Sequence, residues 1–231
     1  MKRAIWITAA LLVVSLPLVA ASKSKTVPLK AASMIVEINA TDGDAGLQPF
    51  LDGEPWKRVV VYRPDGEKLF DVRTRGVLRS YGLTELFSES SEPPFTEFSL
   101  DEFKKLFPAG DYRFVATSIQ GERMVGTATL THNFPEGPEI LSPEEEETVT
   151  GDVVVEWAPV EGPAGIVIAG YQVLVIDETS HRVLSLDLPA DAESVLVPSE
   201  FLDPGTVYKV EVLAVEVGGN KTLSEVTFTT A

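Results

Sequence analysis

Residues 201–215 read FLDPGTVYKVEVLAV, and their spacing decides the fold of the region around them. Pro204-Gly205 is turn chemistry. After it, Tyr208, Val210 and Val212 fall on alternate positions, the period of a strand with one buried face. The same period runs through Val153, Val155 and Trp157 in DVVVEWAPV, residues 152–160. Further short runs lie at 171–176, 183–188, 194–197 and 225–230, with Gly, Pro and acids in the gaps. No helical period of useful length interrupts them. Strands at this spacing, without helices, predict an antiparallel β-sandwich.

These residues resemble a fibronectin type III domain. The resemblance covers residues 137–231 and rests on DVVVEWAPV, on AGYQVLVID (169–177) and on FLDPGTVYKVEVLAV. It places Trp157 as a buried core tryptophan, and Leu202, Pro204, Gly205 and Tyr208 as a corner before a long strand. In that corner the tyrosine ring enters the core while its hydroxyl bonds back to upstream backbone. The resemblance implies fold more than activity, because such domains serve adhesion, receptor and spacer roles alike. The adhesive Arg-Gly-Asp tripeptide of some relatives is absent.

Upstream, strands are expected at 34–38, 59–62, 68–72, 112–118 and 124–131. Residues 62–70, YRPDGEKLF, form a hairpin about Pro64-Asp65-Gly66. One helix is expected in SLDEFKKLF (99–107), where Ser99 and Glu102 make a capping box and Pro108 stops the run. PAGDYRFVA (108–116) echoes PGTVYKVEV (204–212). The echo favours an immunoglobulin-like sandwich with a helical crossover, against a different β-rich fold. The fold class is therefore all-β, two tandem antiparallel β-sandwiches, the first with one short helix.

Composition sets outer limits. The chain has 231 residues, 35 acids, 19 bases, two histidines and no cysteine, with a net charge of −16. Without cysteine there is no thiol nucleophile, disulfide or cysteine zinc site. The negative charge repels nucleic acid and anionic membranes. Residues 1–21 open on Lys2-Arg3, continue through an apolar run and end in small residues. That pattern reads as a secretory signal cut after Ala21, the rival being a retained anchor. Removing it leaves a chain two units more acidic, and export points to a periplasmic or extracellular setting. Residues 22–32 read as a flexible leader, 33–135 as the first domain, 136–147 as a proline-rich linker and 148–231 as the second domain.

Candidate chemistry is sparse. His132 and His181 sit in turns, and no nucleophile elbow, phosphate-cradling loop or H-E-x-x-H occurs. The expectation is no enzyme. Residues 39–56, NATDGDAGLQPFLDGEPW, are the most function-like loop. Asn39, Asp42, Asp44 and Asp52 bring hard oxygens together as calcium would require, against the plainer reading of turn chemistry. Asn39-Ala40-Thr41 and Asn220-Lys221-Thr222 read as ordinary turns, and the glutamates at 144–147 as solvated charge. If Tyr208 and Tyr171 point inward, then Leu174, Ile176, Leu213, Val215 and Val217 share one outer face. That face suits a protein partner, unless a bulge reverses the parity or the first domain covers it.

The sequence thus reads as a secreted, non-catalytic binding or spacer module that mediates protein–protein contact, partner unidentified, with no nucleic acid and no membrane insertion after cleavage. The alternative is a calcium-dependent module for carbohydrate or surface attachment. No other cofactor is expected.

Overall fold

The computed structural model describes residues 26–160 and 165–231. The expected secretory signal lies outside them. The first domain comprises β1 (Thr26–Pro28), β2 (Ala31–Asn39), β3 (Asp44–Tyr62), β4 (Lys68–Arg73), α1 (Leu78–Tyr81), β5 (Leu83–Phe87), α2 (Leu100–Leu106), β6 (Gly110–Ser118) and β7 (Arg123–Leu130). The organising element is β3. Its first half pairs antiparallel with β2 and β5, its second half with β4 and β6, and the register shifts between Asp52 and Trp56. Both halves feed one core, since Leu47, Leu51, Trp56, Val59 and Val61 bury together with Tyr112 and Phe114 of β6.

Two expectations change here. Residues 26–32, read as part of a flexible leader, lie largely in strands: β1 pairs parallel with β7, and β2 opens at Ala31. Leu29 packs on the core, so its burial outweighs the lysines around it. Residues 39–56 are not a loop. Only Ala40–Gly43 turn, and the remainder enters β3, because Leu47, Leu51 and Trp56 gain more from burial than the Asp-Gly pairs gain from turning. The helix and the 62–70 hairpin form as expected. The capping box closes reciprocally between Ser99 and Glu102, and Phe103 is buried. Gly66 takes φ +87° in the hairpin turn, a conformation that favours glycine.

The second domain sets β8 (Ile140–Ser142), β10 (Val153–Trp157) and β13 (Ser194–Val197) against β11 (Ile168–Asp177), β12 (Arg182–Pro189), β14 (Val207–Glu216) and β15 (Lys221–Thr230), with β9 (Glu147–Val149) beside β15. Trp157, Tyr171, Tyr208 and Phe228 fill the space between the sheets. The Tyr208 hydroxyl accepts the Asp203 backbone N–H at 2.7 Å, so the corner forms as the resemblance implied. The first domain has its own version: Tyr112 is fully buried and its hydroxyl donates to the Pro108 carbonyl at 3.0 Å. Burial pushes the Tyr112 phenol up to about 12.

Residues 136–147 are not a free linker, since β8 is an edge strand of the second sandwich. Nor are the glutamates at 144–147 only solvated charge. Glu145 accepts both the backbone N–H and the hydroxyl of Thr227, at 2.8 and 2.7 Å. The two domains then share one sheet: β15 runs parallel to β2, with Lys221 opposite Glu37 and Leu223 opposite Asn39. The hydrogen-bonded path is continuous from β1 to β12.

Candidate functional site at the domain junction

Thr41 Oγ1 accepts the Glu225 N–H across the join between β15 and β2 and Asn39 Nδ2 donates to the Glu225 carboxylate, but the most buried clasp is another side chain. Asn220 is 1% exposed. Its Oδ1 accepts the Val36 N–H at 2.9 Å, and its Nδ2 donates to Thr131 O, Thr131 Oγ1 and Asn133 O at 3.1, 3.0 and 3.1 Å. The turn that presents it is braced by Glu216, whose carboxylate accepts the N–H groups of Gly218 and Asn220. Sequence reasoning took the Asn220-Lys221-Thr222 segment for ordinary turn chemistry. An amide followed by Thr looks the same whether it faces water or bridges two domains. Only the partners 87, 89 and 184 positions upstream distinguish the cases.

On one side of this join the outer face forms an acidic basin of about 260 Å³. Glu37 and Asn39 come from β2, Asp42 and Asp44 from the hairpin end, Glu89 and Glu92 from the segment after β5, and Glu211 and Glu225 from the second domain. The Asn39 side-chain Oδ1 accepts the N–H groups of Thr41 and Asp42, which folds the turn inward. Among the described residues, Lys209 is the only base lining the basin. Its Nζ lies 2.8 Å from Glu211 and 3.6 Å from Glu225.

The electrostatics follow from that imbalance. Burial, then Glu89, Asp44 and Glu37, push the Glu92 carboxyl up to about 7. Burial likewise raises Glu37 against the pull of Lys221, and raises Asp44 with help from Asp42. Glu225 is raised by burial despite Lys209. Burial works against the charge on Lys209, but Glu211, Glu225 and Glu178 more than offset it, so its pKa rises. Carboxylates raised in this way favour a proton or a cation.

The expected oxygen set therefore comes together only in part. Asn39, Asp42 and Asp44 line the basin. Asp52 does not: it pairs with Ala31 at the far end of the hairpin, eight residues along β3 from Asp44, or about 27 Å at strand rise. Among the described residues, no group of three acidic or histidine side chains is set to hold a metal ion. The histidines take no catalytic posture. His132 Nε2 donates to the Phe107 carbonyl at 2.9 Å, and His181 sits exposed at φ +59°.

The expected apolar face keeps its parity, because β14 and β15 pair without a shift from Val207 to Val215. Leu174, Ile176 and Val215 are half-buried on the outer side and Val217 is exposed. Leu213 differs. It lies opposite Leu223, and the two are only 1% and 5% exposed where β2 joins the sheet. The contiguous apolar patch is shortened by one member, and charged Lys209, Glu211 and Lys221 alternate with what remains.

Residues 138–230 match the family model of the fibronectin type III domain. The C-terminal domain is a fibronectin type III domain. Solved structures similar to the chain include the human collagen alpha-1(XX) fn3 domain, at 22% identity over 42% of this chain and 83% of that one, TM-score 0.31. A two-domain fibronectin type III segment of chicken tenascin shows 14% identity over 86% and 96%, TM-score 0.30. The fibronectin(III)-like modules of Clostridium thermocellum CbhA show 10% identity over 88% and 94%, TM-score 0.35. No curated protein matches the chain. Fibronectin type III domains are generally non-catalytic and commonly extracellular. Among the described residues no helix is long and apolar enough to cross a membrane.

Proposed function

We propose that the chain is an extracytoplasmic, non-catalytic binding or spacer module that presents one fixed surface spanning both domains to a protein partner. The observation that carries this reading is the continuous sheet through β2 and β15, clasped by Asn220. Backbone pairing between domains removes the hinge that a peptide linker would leave. Leu174, Ile176 and Val215 then stand at constant distance from the basin, and Val217 projects at 67% exposure. A surface of mixed apolar and charged groups suits protein recognition, where a few apolar anchors sit inside a polar rim. Leu174→Glu with Ile176→Glu should abolish co-purification of the partner while leaving the melting temperature within a few degrees. Retained binding by the folded double variant removes this face from the contact.

A second reading is calcium dependence through the basin, now with Asn39, Asp42 and Asp44 joined by the glutamates and without Asp52. It is favoured by the gathering of carboxylates that burial and mutual repulsion hold above their ordinary values. Titration calorimetry with calcium chloride at pH 8 should give saturable heat and a rise in melting temperature. Absence of both rejects it.

A further inference from the structure

A second cavity, of about 270 Å³, opens on the first domain between β3, β4, β6 and α1, and its chemistry is the reverse of the basin's. Lys57, Arg58, Arg73, Arg75 and Arg79 line it and, among the described residues, no carboxylate does. Five of the chain's 19 bases thus converge on one concavity in a protein of net charge −16.

The arrangement is built and held. Arg58 on β3 sits directly between Arg73 on β4 and Thr117 on β6. Like charges directly opposite each other destabilise a sheet. Asp71 offsets that cost: its carboxylate accepts Arg58 Nε and Nη2 at 2.9 and 2.5 Å and Arg73 Nε and Nη2 at 3.3 and 3.4 Å. Those hydrogen bonds, from Arg58 first and then Arg73, hold the Asp71 carboxyl far below the usual range. A guanidinium carries five N–H donors, so two spent on Asp71 orient each arginine and leave three free. Arg75 and Arg79 are exposed and, among the described residues, have no carboxylate within 4.0 Å. Arg79 lines the cavity from α1, whereas Val77 and Tyr81, 82% and 77% exposed and four positions apart, share a different side of that turn.

We propose that this cavity binds an oxyanion, a carboxylate or phosphate group carried on a body about the size of one sugar ring. Arginine forks match both groups bidentately. The volume lies just below the range typical of drug-sized ligands, which fits a small body and excludes a large flat one. Thr74 and Thr117 add hydroxyls to the lining for its neutral part. The site is independent of the domain junction and of its proposed partner.

The test is an amide chemical-shift titration of the full chain at low salt with inorganic phosphate, glucuronate and glucose in separate arms. Saturable shifts at Thr74, Arg75, Arg79 and Thr117 are expected with phosphate, with glucuronate or with both, and the responding arm identifies the group. Glucose should give none. Arg75→Ala and Arg79→Ala, both at exposed positions, should each weaken binding roughly tenfold, as loss of a charge-assisted hydrogen bond does. Lys30→Ala, whose side chain pairs with Glu54 outside the cavity, should not. Silence in both anion arms overturns the proposal. So does an equal response to glucose, or unchanged affinity in the two arginine variants.

Discussion

At the scale of single residues, Asn220 does what no other side chain among the described residues does. It satisfies one backbone N–H and two backbone carbonyls of the other domain from a position that is 1% exposed. Truncating it leaves the buried Val36 N–H without its partner and strips a bond from two part-buried carbonyls, and a buried group so orphaned costs about 1–3 kcal/mol. Asn220→Ala should therefore lower the unfolding free energy by roughly 3 kcal/mol in a urea titration. It should also free the domains from a common alignment frame in residual dipolar coupling measurements. A loss near zero, or one shared frame in the variant, would show that the backbone ladder holds the domains without help. Tyr208 and Tyr112 make the contrasting case. Their roles were legible, because a Pro-Gly or Pro-Ala-Gly turn before an inward tyrosine is a local pattern whose partners lie five and four residues away. Asn220 has no local pattern to betray it.

At the scale of elements, legibility followed the same division between local and distant causes. β10 and β11 alternate buried positions with more open ones, and β14 does so as far as Val212, so their period was plain in the sequence. The helix after Ser99 was equally plain from its cap and its apolar face. β3 was hidden. Its 19 residues contain Gly46, Pro49, Gly53 and Pro55, which ordinarily punctuate strands. The strand survives them because it bends, and small residues fill the tight places: Glu92 packs over Gly46, and Leu29 over Gly53. Punctuation thus marked the corner of an element rather than its end. β1 and β8 were missed for another reason. Each is three residues long and owes its existence to a neighbour far along the chain, β7 in one case and β10 in the other. Three of the ten residues lining the candidate site were legible for the same cause. Asn39, Asp42 and Asp44 lie within one turn, whereas Glu89, Glu211 and Glu225 reach the basin only through tertiary pairing.

At the scale of the whole molecule, the net charge of −16 is not spread evenly. Acids crowd the junction basin and bases the cavity beside α1, and this polarity has a consequence for stability. Glu37, Asp44, Glu92 and Glu225 all have folded pKa values above their ordinary ones, so the folded state holds protons that the unfolded chain has already released. Their contribution is fully present below the unfolded values and is lost as pH rises through the folded ones. For Glu92 the window runs from its ordinary value of 4.5 to about 7. Asp71, Glu102, Asp152 and Asp177 are shifted the other way, by hydrogen bonds that favour the carboxylate, and their contribution disappears on acidification below their ordinary values. The two sets leave an optimum on the mildly acidic side of neutrality. Melting temperature should rise as pH falls from 8 to about 5 and drop again below 4. Glu92→Gln should flatten the upper arm by stabilising the protein at pH 8, by no more than about 1 kcal/mol because the side chain is partly open to solvent. Gln cannot release a proton, so the variant should differ little from the parent at pH 5. Equal stabilisation at both pH values would mean that the gain comes from packing against Gly46 and not from relief of charge.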